Sequence, residues 1–229
     1  MCFTPIISLT TAIIEFVVAT FILIKYKKYL IPVFSALLIY VLGIYQFTEF
    51  MLCISNNAFL WAKLGFITYT FLPAMGLHFV LRLARNRKYN WLAYIPPLFF
   101  SLWAVFKTNF IVSASCSKVF VIVNKVFTSQ GFSLLSKGYL LYYFGFILIA
   151  ITIAFIWIKK EKDKITRQLI KLLGGAIVII ITLPLILLFI LPSLKIPFPS
   201  VYCQFALLFT IVALIGSKIY DKEKKKELF

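Results

Sequence analysis

The sequence predicts an all-α integral membrane protein of seven transmembrane helices, and three observations carry that prediction. The 229 residues are 62% hydrophobic and only 14% charged, against about 45–50% and about 25% in soluble domains. Seven apolar runs reach or approach the roughly 20 residues needed to cross a hydrocarbon core of about 30 Å: 5–24, 31–53, 59–83, 91–107, 138–158, 169–191 and 200–219. Lys and Arg alternate in number between successive connections. With the N-terminus outside, 18 of the 24 basic residues fall on inner segments and 6 on outer ones, and an inner excess is what orients membrane helices. Residues 1–221 therefore read as one membrane domain and 222–229 as a basic cytoplasmic tail.

A net charge of +17 could suggest a nucleic-acid partner. Here the charges abut membrane ends, where anionic lipid is the simpler partner, so a multi-pass protein of the cell membrane is expected and nucleic acid is not. The first run has no basic leader and no small-residue cleavage site, and reads as a retained helix.

In the first run Ser8, Thr11, Glu15 and Ala19 share one face. Glu15 falls near the bilayer centre, where a carboxylate must face the interior and be paired or protonated. It is either a ligand or proton site or a neutral group bonding across helices.

The second run starts with Pro32 in its first turn, where a missing N–H costs little. It presents Tyr45 or Gln46 with Glu49 on one side near its far end. The third opens with Trp61 and Lys63. Glu49 and Lys63 each lie seven residues from Asn56 in the Ser55-Asn56-Asn57 turn, so antiparallel helices set them at one depth. A charge pair is expected, either closing the hairpin near the interface or lining an interior cavity that Glu15 shares at greater depth.

Pro73 should kink the third run. His78, the single histidine, reads as a packing residue, since a metal site needs several ligands. The fourth run contains Pro96-Pro97 and is the shortest.

The outer connection of about thirty residues, Lys107 to Lys137, is long for a loop without structure. Val119–Val123 is rich in strand formers and Ser129-Gln130-Gly131 is a turn signal, so a β-hairpin lid between helices 4 and 5 is expected. Tyr139, Tyr142 and Tyr143 fit an outer aromatic belt and Trp157 an inner one. The sixth run has Gly174-Gly175 for close packing and Pro184 for a second kink. The seventh places Gln204 toward the outside. Its only lysine, Lys218, is at the inner end, which excludes a mid-helix retinal Schiff base.

Cys2, Cys53, Cys116 and Cys203 all fall on or near the outer side. An oxidising side permits disulfides, although free buried cysteine is an ordinary small apolar residue. At most one bridge is expected, with Cys53 and Cys116 the favoured pair because the long loop can fold over helix 2.

One stretch of about a quarter of the chain carries a likeness: Glu49, a turn, Trp61 and Leu64 opening the third helix, Pro73 within it, Phe79 near its inner end and Pro96 in the fourth. It resembles the N-terminal seven-helix sensor region of membrane histidine kinases. The resemblance implies detection of a signal outside or within the bilayer and its passage to a cytoplasmic kinase. The sequence departs from that family in showing no kinase or dimerisation domain after the seventh run, so either the output partner is a separate signalling protein contacting the basic inner loops or the chain is an orphaned module with another role.

No metalloprotease, nucleophile-elbow or phosphate-loop motif appears, so no enzyme, cofactor or metal is expected. The leading expectation is a sensor of a small or lipophilic ligand with an interior polar cluster of Glu15, Gln46, Glu49, Lys63, Tyr69 and Gln204. The alternative is a small transporter or permease subunit, against which stands the lack of similarity between 1–83 and 138–219.

Overall fold

A computed structural model describes residues 5–84, 90–116, 121–125, 134–162, 164–176 and 198–226. These form α1 (Pro5–Tyr26), α2 (Leu30–Ile54), α3 (Ala58–Leu83), α4 (Ile95–Phe106), β1 (Ile111–Cys116), β2 (Val121–Lys125), α5 (Leu134–Lys160), α6 (Lys164–Leu169) and α7 (Phe198–Lys226). A 3-10 turn, Asn90–Tyr94, leads into α4, and a π-helical turn, Ile170–Gly174, continues α6. Four of the helices, α1, α2, α3 and α5, are long and apolar enough to cross a membrane.

Among the described residues helices form within the apolar runs that predicted them, and their ends follow local chemistry. Asn57 caps α3 by accepting the Leu60 N–H at 3.2 Å, and its own N–H is taken by Ser55 Oγ at 3.2 Å; both satisfy donors that a helix start leaves open. α4 is shorter than its run. Pro96 and Pro97 stand in its first turn, where proline is tolerated, so the preceding residues adopt the 3-10 turn instead. Its 12 residues rise about 18 Å.

α5 begins at Leu134, four residues before the expected start, and carries Tyr139 well into the helix. α7 runs to Lys226 and so absorbs most of the expected tail, whose Lys and Glu residues are good helix formers. The sixth run is described only to Ala176. Its later part, with Pro184, lies outside the described residues.

α1 packs on α2, α2 on α3, and α7 on both α1 and α2; α4 and α5 lie against α3, α6 packs on α7, and the π-helical turn after it lies against both α5 and α7. Tyr29, between α1 and α2, meets Tyr220 of α7 with ring centroids 5.3 Å apart. The α1–α2 turn and the C-terminal half of α7 thus share one end of the bundle. The opposite end carries the α2–α3 turn, and there the antiparallel β1–β2 pair packs against α2 and α3.

The outer faces of the helices are apolar. Ile6, Phe21, Leu98, Leu141, Leu148 and Ile211 are all exposed, as lipid contact requires. Hydroxyls within the helices turn back on their own backbone: Thr10, Thr20, Ser35, Thr68, Thr152, Thr210 and Ser217 each donate to the carbonyl four residues earlier. Two glycines let α2 approach its neighbours. A Cβ on Gly43 would lie 2.8 Å from the Phe16 ring, and one on Gly65 2.9 Å from Thr48 Oγ1.

Candidate functional site

The densest buried polar chemistry lies between α2, α3 and α5, toward the end that carries β1 and β2. On α2, Tyr45 and Glu49 are one turn apart, and the Tyr45 hydroxyl donates to Glu49 Oε1 at 2.5 Å. Glu49 is 7% exposed and Gln46, beside Tyr45 in sequence, 1%. The Tyr45 ring meets Tyr69 of α3 edge-on at 5.8 Å, and Tyr69 in turn meets Tyr143 of α5 at 6.3 Å. Tyr139 completes the link, with its hydroxyl 3.1 Å from Thr70 Oγ1.

Beside this network α3 passes through Pro73 without a break. Proline offers no N–H to the carbonyl four residues earlier, here that of Tyr69. The adjacent carbonyl, of Thr70, accepts the Tyr142 hydroxyl from α5 at 2.6 Å. A neighbouring helix thereby supplies a hydrogen bond at the proline-weakened turn, which is how membrane helices tolerate such residues.

Phe110, at the entrance to β1, closes the cluster from above. It is fully buried, 4.5 Å from the Phe66 ring and 5.3 Å from Trp103 of α4. Phe66 continues inward to Tyr69 at 5.3 Å and Tyr139 at 5.4 Å. Aromatic pairs at these separations each add about 0.5–1.5 kcal/mol beyond area burial, so the strand segment and three helices are coupled through one set of rings.

Of the residues expected to form an interior polar cluster, the structure brings Glu49 and Tyr69 together, through Tyr45. Lys63 goes elsewhere. Its ammonium donates to the carbonyls of Val105 at 3.3 Å and Lys107 at 3.5 Å, at the C-terminal end of α4, where a cation complements the helix dipole. The Glu49–Lys63 ion pair expected from the hairpin is therefore not the contact made. Equal distance from the turn fixes depth but not azimuth. Ala62 and Phe66 hold the buried face of α3, and Lys63, about 100° further round than Ala62, is turned toward α4.

Glu15 is fully buried on α1 and makes no hydrogen bond to these residues. The side chain of Gln204 lies outside the described residues.

Tyr139, Tyr142 and Tyr143 are the contributors that sequence reasoning placed differently. Tyr142 and Tyr143 are 6% and 7% exposed and face the interior, not an interfacial belt. The spacing of 139, 142, 143 and 146 is that of one helix face, and it was the signal that could have found them.

Cys53, one residue before the end of α2, is disulfide-bonded. Cys116 closes β1, and its side chain lies outside the described set. At the other end of the bundle His78 bridges α3 to the turn before α4. Its Nε2 accepts Arg82 Nε at 3.1 Å and its Nδ1 is 2.9 Å from the Tyr94 hydroxyl. A guanidinium can only donate, so the ring proton is on Nδ1 and points at Tyr94. Among the described residues no three His, Cys, Asp or Glu side chains converge for a metal. Comparison with known proteins yields no match to a family model, a curated protein or a solved structure, so the reading of this site rests on its own geometry.

Proposed function

We propose that the chain is a seven-helix membrane sensor, with its N-terminus outside and its C-terminus in the cytoplasm, that passes a signal to a separate cytoplasmic partner such as a histidine kinase. The observation that carries the reading is the network from Glu49 and Tyr45 through Tyr69 and Tyr139 to Thr70 and Tyr142, which joins three helices beside Pro73. Changes at the strand end would reach that turn through Phe110 and Phe66. A proline turn held by a neighbour's hydroxyl is an element with two arrangements, bonded and released, and switching needs such an element.

The disulfide at Cys53 supports the orientation, since disulfides persist on an oxidising side and Cys53 lies at the end that this topology places outside. In the same topology β1 and β2 roof the cluster, and Cys116 on β1 is the favoured partner of Cys53. The ligand class is small or lipophilic.

Reconstituted vesicles test the reading. Trp61 and Trp103 pack against the core of Phe66 and Phe110 beside the cluster, so binding should change tryptophan fluorescence saturably, without accumulation of the compound inside. Accumulation of a labelled compound would instead establish a transporter or permease subunit.

A further inference from the structure

Glu15 stands at the middle of the 22-residue α1, about 15 Å from either end. It is 0% exposed, and neither carboxyl oxygen has a hydrogen-bond partner. Among the described residues only one other buried side-chain polar atom is left so, the Ser101 hydroxyl. Glu49 differs, since it receives the Tyr45 hydroxyl. An ionised carboxylate in hydrocarbon without a donor is far costlier than a neutral one, so these two oxygens call for a cation.

Among the described residues none is supplied nearby. On α1 itself the other charged or titratable groups are Lys25 and Tyr26, about three turns away. On α2, which packs against α1, they are Tyr40, Tyr45 and Glu49, and the two hydroxyls are engaged with Thr20 and Glu49 respectively. On α7, which also packs against α1, the described ones begin at Lys218. Lys218 is two residues from Tyr220, which touches Tyr29, and so lies at the α1–α2 end of the bundle.

We propose that Glu15 is a proton-binding site: one carboxylate oxygen takes a proton from a hydronium ion, leaving water and a neutral acid, and the same O–H bond breaks to return the proton to water when α1 parts from α2 or α7. A proton needs a single oxygen. An alkali ion needs several around one point, and among the described residues no three His, Cys, Asp or Glu side chains gather at one place. The assignment is independent of whether the bundle senses or transports, and either activity could be coupled to the proton.

Infrared spectroscopy of the full chain in lipid nanodiscs at neutral pH tests it. The exposed carboxyls are ionised there, so the wild type should show the carbonyl stretch of an un-ionised carboxyl, at the high frequency of one without a hydrogen bond. The band should persist in Glu49→Gln and vanish in Glu15→Gln. Should Glu15→Gln fail to fold, Glu15→Asp keeps a carboxyl and should retain a displaced band. A wild type with carboxylate bands only would overturn the proposal. So would loss of the band in Glu49→Gln, or its suppression by sodium at fixed pH, which would make this an alkali-ion site.

Discussion

Replacing Tyr142 by Phe removes one hydroxyl and nothing else, and the structure says what that hydroxyl does. It donates at 2.6 Å to the Thr70 carbonyl, a distance well inside the range of a good O–H···O bond. Leaving a buried acceptor unsatisfied costs about 1–3 kcal/mol in soluble proteins. In membranes the unfolded reference state also finds partners, and measured interhelical bonds average about 0.6 with a maximum of about 1.7 kcal/mol. A loss of about 1 kcal/mol is therefore expected for Tyr142→Phe, read by denaturant unfolding in mixed micelles with tryptophan fluorescence. The test of the argument is the background. Pro73→Ala restores an N–H for the Tyr69 carbonyl and removes the ring that crowds the turn, so the helix regularises and the Ala74 N–H closes on the Thr70 carbonyl. In that background Tyr142→Phe should cost less than half as much. Costs that add within about 0.5 kcal/mol would show that the hydroxyl does not compensate for the proline, and the coupling of α5 to α3 at this turn would be refuted.

Gly65→Ala should destabilise by about 1–3 kcal/mol through overpacking, because its Cβ would fall 2.9 Å from Thr48 Oγ1, itself bonded to the Tyr45 carbonyl; thermal unfolding in detergent reads it, and an unchanged midpoint would mean that α2 and α3 are further apart. Mass spectrometry of alkylated, unreduced protein should recover Cys53 joined to Cys116, and reduction should cost about 2–4 kcal/mol; Cys53 joined to Cys2 or Cys203 would break the proposed roof. Lys63→Met should leave the Tyr45–Glu49 pair intact and cost about 0.3–1 kcal/mol, the worth of a cation at a helix C-terminus, whereas a loss of several kcal/mol, with recovery in a Glu49→Gln double variant, would restore the ion pair that the hairpin spacing suggested. For the orientation, an enzyme active only outside the cell should be active when fused within 107–137 and inactive after Lys226, and the opposite pattern at either point would reverse the topology.

The sequence by itself determined that this chain is helical and suited to a membrane. Apolar length is a one-dimensional property, so the ends of α1, α2 and α3 fall within two residues of the runs that predicted them. Local chemistry was equally legible: the Asn57 cap and Pro32 in the first turn of α2 depend on neighbours in the chain alone. What tertiary structure decided is rotation and partnership. Hydropathy that is high all round a helix marks no inner face, so nothing local told Lys63 to turn toward the end of α4, and the 139, 142, 143 and 146 spacing marks a shared face without saying that Tyr142 meets the Thr70 carbonyl. Glu15 shows both sides of the division. Its depth in the membrane could be counted along α1, but that both its oxygens lack a donor depends on which groups α2 and α7 bring to that level, and only the packed bundle sets this.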